Sequence, residues 1–143
     1  MGAKVTREKE MAVSVGDLWK VITDFERYPD FVEEVVLAKP LKSAGQKQVV
    51  QFEIEVVKRF QYTLEFSQVE GKELSWRLVE SNFFKKNDGR WLLRDLGGDK
   101  THATYEVDLG FGFLVPGWVT KKLTEVNLPK MLDAFEKRAK EIR

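Results

Sequence analysis

Phe52, Tyr62, Phe66, Trp76, Trp91 and Tyr105 share one side of segments that alternate in polarity, and they are the residues with most scope for chemistry. Large rigid rings set side by side offer an apolar molecule a surface out of water, and sites for such molecules are mostly apolar with few polar groups. The two tyrosines and two tryptophans each add one polar atom. That atom can orient a ligand's hydroxyl or carbonyl, or equally bond to backbone or water. Ile54, Leu64, Leu78, Leu93 and Val107 lie on the same side and extend the candidate ligand-binding wall. The plain alternative is that these side chains simply fill a core.

Other chemistries find little support. His102 is the only histidine, falls on the polar side near a turn, and reads as a surface residue. With one histidine and no cysteine the usual zinc ligands are lacking, so no metal and no cofactor is expected. Ser14, Ser43, Ser67, Ser75 and Ser81 have no GxSxG context for a nucleophile elbow. Glu53, Glu55, Glu65, Glu106 and Asp108 alternate onto the outside, where pairing with Arg77, Arg90 and Arg94 is the expected use of their charge. Gly110 and Gly112 in GFGFLVPG lack the GxGxxG spacing and the following lysine of phosphate loops. They read as a flexible joint, with Phe111, Phe113 and Leu114 near the mouth of any cavity. No catalytic residue is assigned.

The elements that must position the rings follow from period and punctuation. Lys4 to Val13 reads as a first strand, Ser14 as a helix N-cap with Asp17 in the first turn, and Val15 to Thr23 as a short helix. Pro29 interrupts Asp24 to Phe31, which reads as a second short helix or turn. From Val35 to Phe111 the pattern has period two, with turns expected near Lys58-Arg59, Gly71-Lys72, Asn87-Asp88-Gly89 and Gly97-Gly98-Asp99. Connections so short require antiparallel neighbours. That gives about six strands, seven with the first. Pro116 to Arg143 then shows helical spacing through Val119, Leu123, Val126, Leu128, Met131 or Leu132, Phe135, Ala139 and Ile142. Pro116 suits a first helical position, and Pro129 should kink or divide the helix. The apolar side of the sheet needs a cover, and this helix is the only long amphipathic element available. Val119 and Leu123 would then face the rings.

The 143 residues suit one domain spanning 1–143, with no repeat or low-complexity linker. Lys and Arg number 24 against 23 Asp and Glu, a net charge of +1, so no global field draws nucleic acid, and none is expected as a partner. The N-terminus lacks a signal peptide's apolar stretch, its match to a myristoylation pattern ends at Thr6, and no run is long enough to span a membrane. With no cysteine as well, a soluble cytoplasmic protein is the expectation. Lys85-Lys86 beside Phe83-Phe84 is the one basic and apolar pair that suggests a transient membrane or partner contact.

The order of strand, two short helices, six strands and long helix resembles the START-like superfamily. Two segments sharpen this: VGDLWKVITDFERYPDFVEEV, Val15 to Val35, with its Tyr-Pro before an aromatic, and VPGWVTKKLTEVNLPKML, Val115 to Leu132, similar to a lid helix. The resemblance implies an α+β helix-grip fold: a curved seven-stranded antiparallel sheet with the C-terminal helix packed on its concave face. It also implies a cavity for a lipid, quinone or polyketide-like molecule. Pro29, Tyr28 and Phe31 would fix how the short helices cap the sheet. Relatives in the superfamily include carriers, polyketide aromatase/cyclases and regulators that bind protein or ribosome surfaces, so fold does not settle function. Apart from Tyr and Trp the assignable inner positions are apolar, with Arg7 and Lys9 as exceptions to test, and this favours a binder over an enzyme.

Overall fold

The computed structural model describes residues 2–56 and 58–142; Met1 and Arg143, the ends of the expected span, lie outside them. Seven strands form one antiparallel sheet: β1 Gly2–Met11, β2 Val35–Ala44, β3 Lys47–Glu55, β4 Arg59–Val69, β5 Glu73–Ser81, β6 Phe84–Asp95 and β7 Thr101–Phe111. Their order is β1-β7-β6-β5-β4-β3-β2, so consecutive strands from β2 onward are neighbours and the first strand closes against the last. The chain crosses from one edge to the other through α1 Val15–Thr23, a 3₁₀ turn at Phe25–Arg27 and α2 Tyr28–Phe31. Ser14 caps α1 as its sequence implies, its Oγ accepting from the Asp17 N–H at 3.1 Å. The sheet is curved and carries the C-terminal helix on its concave side, the helix-grip arrangement.

The β5–β6 connection differs from expectation. Asn87-Asp88-Gly89 is not a turn but the interior of β6. The turn lies earlier, where Ser81 Oγ accepts from the Phe83 and Phe84 amides and Asn82 Oδ1 accepts from the Gln61 amide. The three residues meet tertiary needs instead. Gly89 lies under Trp76: a Cβ there would stand 2.4 Å from the Glu106 carbonyl oxygen and 2.6 Å from a Trp76 ring carbon. The β5–β6 ladder ends at Trp76↔Gly89, beyond which Asp88 Oδ1 accepts from the Leu78 N–H at 3.1 Å. By contrast Gly97-Gly98-Asp99 is the expected turn, all three residues having positive φ.

β2 runs along the edge beyond β3 with register shifts at Val35/Leu37 and Pro40/Lys42. On the convex face the carboxylates pair with neighbouring strands as expected: Arg77 with Glu65 at 2.9 Å, Arg90 with Glu106 at 2.8 Å, Lys86 with Asp108 at 2.8 Å. Arg94, assigned the same role from its position, forms no ion pair within 4 Å among the described residues. His102 sits on this face against Glu8, Nε2 to Oε1 3.0 Å.

The lid is built in three pieces: α3 Gly117–Lys122, a π-helical turn at Leu123–Asn127 and α4 Leu128–Ile142. Pro116 is the N-cap, one position before the expected first helical residue. Pro129 has no N–H and its ring crowds the carbonyl four residues back, so an α-helix cannot run through it undisturbed. The wider turn relieves this ahead of the proline, with the Leu128 N–H reaching the Leu123 carbonyl. The five-residue step also brings Leu128 into phase with Leu123 and buries Thr124, while Val126, expected inside, is exposed.

Lys9 fastens this helix to β1. It bonds to Asp133 and to Glu136 (2.7 Å), and Glu136 also accepts from the Ala12 N–H at 3.0 Å. Lys9 thus serves as a clamp rather than a cavity residue. Burial opposes both charges, yet the hydrogen bonds hold Lys9 above and Glu136 below their ordinary pKa values. A lowered carboxyl pKa stabilises the fold above the ordinary carboxylate range, and that contribution is lost as pH falls through the folded value. Lys9→Met should therefore lower stability by about 1 kcal/mol at neutral pH, since the pair is only partly buried. The deficit should vanish in acid, as denaturant unfolding at the two pH values would show; an equal deficit in acid would rule out the ion pair as its cause.

Candidate functional site

Seven rings close a circuit between sheet and lid. Phe52, Phe66, Trp76, Tyr105 and Trp91 come from β3, β4, β5, β7 and β6; Phe135 comes from α4 and Tyr28 from α2. Successive centroids are 5.1–6.1 Å apart around the loop. These are tilted or edge-on contacts, in which the positive edge of one ring meets the negative face of the next. All seven line one cavity of about 90 Å³. A second cavity, of about 110 Å³, adjoins it beneath Leu123, Thr124 and Asn127 of the π-helical turn. The two share Val32, Val35, Tyr62, Asn87, Tyr105 and Met131. An apolar cavity of about 150 Å³ is enough to hold a benzene ring.

Most of the residues assigned from sequence meet here. Phe52, Tyr62, Leu64, Phe66, Trp76, Trp91 and Tyr105 line the first cavity, and Ile54, Tyr62, Tyr105, Val107 and Leu123 the second. Three lie elsewhere. Leu78 follows the point where β5 parts from β6 and is not on either wall. Leu93 borders a depression beside His102 and Thr104, and Val119 is buried within the lid. Phe111 packs against Phe83 and Phe84 rather than at a mouth, while Phe113 and Leu114 are 92% and 83% exposed.

Several wall residues escaped the sequence reading. The sequence favours packing over ligand contact for Tyr28, and the residue does hold the end of α1 by donating to the Ile22 carbonyl, but its ring also belongs to the circuit. Helical spacing marks Phe135 and Met131 as buried without showing that they face a cavity. Asn87 is concealed by its turn-forming neighbours. Its one readable signal is the alternation that continues from Trp91 back through Gly89.

Burial dominates the electrostatics. It pushes the hydroxyls of Tyr28, Tyr62 and Tyr105 well above the usual phenol range. At the lid end Glu34 and Asn127 line both the second cavity and an outer groove of about 440 Å³ that includes Glu33, Glu55, Lys122 and Lys130. Burial raises the Glu34 carboxyl above its usual range, with Glu33 adding to the effect and Lys122 and Lys130 opposing it. Glu34 and Asn127 thus stand between the second cavity and this polar groove. Among the described residues no cluster of His, Cys, Asp and Glu could hold a metal ion, and no helix is long and apolar enough to cross a membrane.

A family model described as "Polyketide cyclase / dehydrase and lipid transport" matches residues 11–136. No curated protein matches the chain. Among solved structures, the Zhui aromatase/cyclase from Streptomyces sp. R1128 superposes with a TM-score of 0.88 at 16% identity, covering 100% of this chain and 97% of that one. A START superfamily protein from Mycobacterium smegmatis gives 0.85 at 22%, covering 98% and 99%. Norcoclaurine synthase from Thalictrum flavum gives 0.72 at 17%, covering 99% and 88%. At these identities the likeness shows the fold alone.

Proposed function

We propose that this chain, which belongs to the polyketide cyclase/dehydrase and lipid transport family, is a cytoplasmic binder or carrier of a small apolar molecule held inside its circuit of rings. The observation that carries this reading is the cavity bounded by Tyr28, Phe52, Phe66, Trp76, Trp91, Tyr105 and Phe135, with the cavity beneath the π-helical turn beside it. Burying a ligand there removes its surface and that of the rings from water, at about 25 cal/mol per Å² of apolar area. The Tyr62 and Tyr105 phenols on these walls can donate a hydrogen bond to a ligand. Drug-sized ligands fill roughly 300–1,000 Å³. The space here suits one or two rings, and a longer molecule requires the lid to give way.

Exchange with a lipid surface, in this reading, uses the lid tip rather than Phe83 and Phe84, which are buried. Phe113, Leu114 and Trp118 are exposed there, with Lys121 and Lys122 one helical turn beyond Trp118.

Protein purified without denaturant and extracted with organic solvent should release one apolar compound in near-stoichiometric amount, identifiable by mass spectrometry. Chain freed of that compound should gain melting temperature on adding indane, a two-ring hydrocarbon, because a ligand that binds only the folded state stabilises it. Recovery of nothing together with no thermal shift would sink the reading.

A further inference from the structure

Asn87 is 7% exposed and lines both cavities. Its Oδ1 accepts from the Trp76 indole N–H at 3.1 Å. The indole nitrogen can only donate, so this bond settles which way the amide faces. Asn87 Nδ2 is left with two N–H donors and no hydrogen-bond partner among the described residues. Tyr62 and Tyr105 line the same two cavities, and their hydroxyls also make no hydrogen bond among the described residues. Packing holds both rings. Tyr62 is stacked on Phe52 (5.3 Å) and meets Phe84 edge-on (5.2 Å), while Tyr105 lies between Trp76 (5.4 Å) and Trp91 (5.1 Å).

These donor atoms border open space, since Thr120 Oγ1 is the one fully buried side-chain N or O atom without a hydrogen-bond partner among the described residues. A bound molecule that covers such a donor without accepting from it leaves the donor unpaired, which is costly. Here three side chains on the same walls offer donors. The one carboxylate on those walls, Glu34, stands at the groove end. A ligand that brings an acceptor to these walls satisfies the donors, where a bare hydrocarbon would cover them unpaired. We propose that Asn87 Nδ2, aimed by Trp76 and supported by the Tyr62 and Tyr105 hydroxyls, binds the carbonyl oxygen of a small aromatic ketone. This rests on the reading of the cavity as a ligand site and adds the chemical class of the ligand. Asn87 is its specificity-determining residue and Trp76 a positioning residue.

The test compares 1-indanone with indane, two-ring molecules that differ by a carbonyl, titrated by calorimetry into the full-length chain freed of bound material. The ketone should bind about tenfold more tightly, the difference one well-made buried hydrogen bond supports. Asn87→Leu, close in size but without donors, should abolish or reverse that preference. Tyr105→Phe keeps the ring, guards against a folding failure at Asn87, and should weaken 1-indanone severalfold more than indane. Equal binding of the two probes by the natural chain, or a preference that survives both substitutions, would overturn the carbonyl site while leaving the apolar cavity standing. Binding of neither probe would overturn both.

Discussion

Phe135→Ala should destabilise the protein by about 3–5 kcal/mol, the range for removing a fully buried phenylalanine. Phe135 is 1% exposed and is the lid's one contribution to the circuit of rings, meeting Tyr28, Phe31 and Trp91 edge-on at 5.1–5.3 Å. Its removal loses the transfer of one ring from water and leaves a void that sheet and lid cannot both close. Denaturant unfolding would show a lower midpoint with an unchanged slope. Because the void adjoins an existing cavity, the variant should also accept a bulkier hydrocarbon than the natural chain. A loss under about 1 kcal/mol would mean that α4 does not rest on the sheet through this residue.

Gly89→Ala should be nearly as damaging, at about 3 kcal/mol or more, through overlap rather than a void. The added methyl would meet the Glu106 carbonyl oxygen, which is backbone and cannot swing aside, and the Trp76 ring, which Asn87 holds by its indole N–H. Either β6 must leave β7 or the indole must leave the cavity wall. Near-ultraviolet circular dichroism should report the tryptophan's displacement alongside the lost stability. Gly45→Ala is the control: its φ of +62° makes alanine unfavourable, but nothing stands within 4 Å of the new methyl. Its loss should stay near 1 kcal/mol. A loss at Gly89 no larger than that at Gly45 would show that β6 and the indole yield to the added methyl, so that close approach does not demand glycine there.

The contrast between these glycines also shows what can be read from one chain of letters. Period-two alternation from Phe52 to Leu109 reports a local geometric necessity, and so do Ser14 at a helix start and the Gly97-Gly98-Asp99 turn. Each appeared where its spacing placed it. Asn87-Asp88-Gly89 has equally strong local turn chemistry, but its residues answer to partners far along the chain: an indole for Asn87, the Leu78 amide for Asp88, a ring pressed on the backbone for Gly89. Nothing in the tripeptide distinguishes these uses. The mistaken turn also hid Asn87, the one wall residue whose polar group is both fixed and unspent.

Pro129 shows a partial reading of another kind. The proline announces a break, but whether a helix bends, stops or widens depends on what lies beneath it. Leu123 and Leu128 come to the same side only because the turn is one residue wider, which carried Val126 to the outside. Similarly, alternation puts Leu78 and Leu93 on the inner side of their strands without telling how far along the strand the cavity extends.

The irregular course of β2 bears on behaviour at high concentration. An edge strand offers its free N–H and C=O groups to any other strand, and a flat, regular edge invites copies of the same chain to add on. β2 offers poor terms for this: Pro40 has no N–H to give, two register shifts break the repeat, and Lys39 and Lys42 add positive charge along the edge. The sheet is thereby finished at that side, and the chain can present an open edge in a crowded solution without growing into fibrous aggregates.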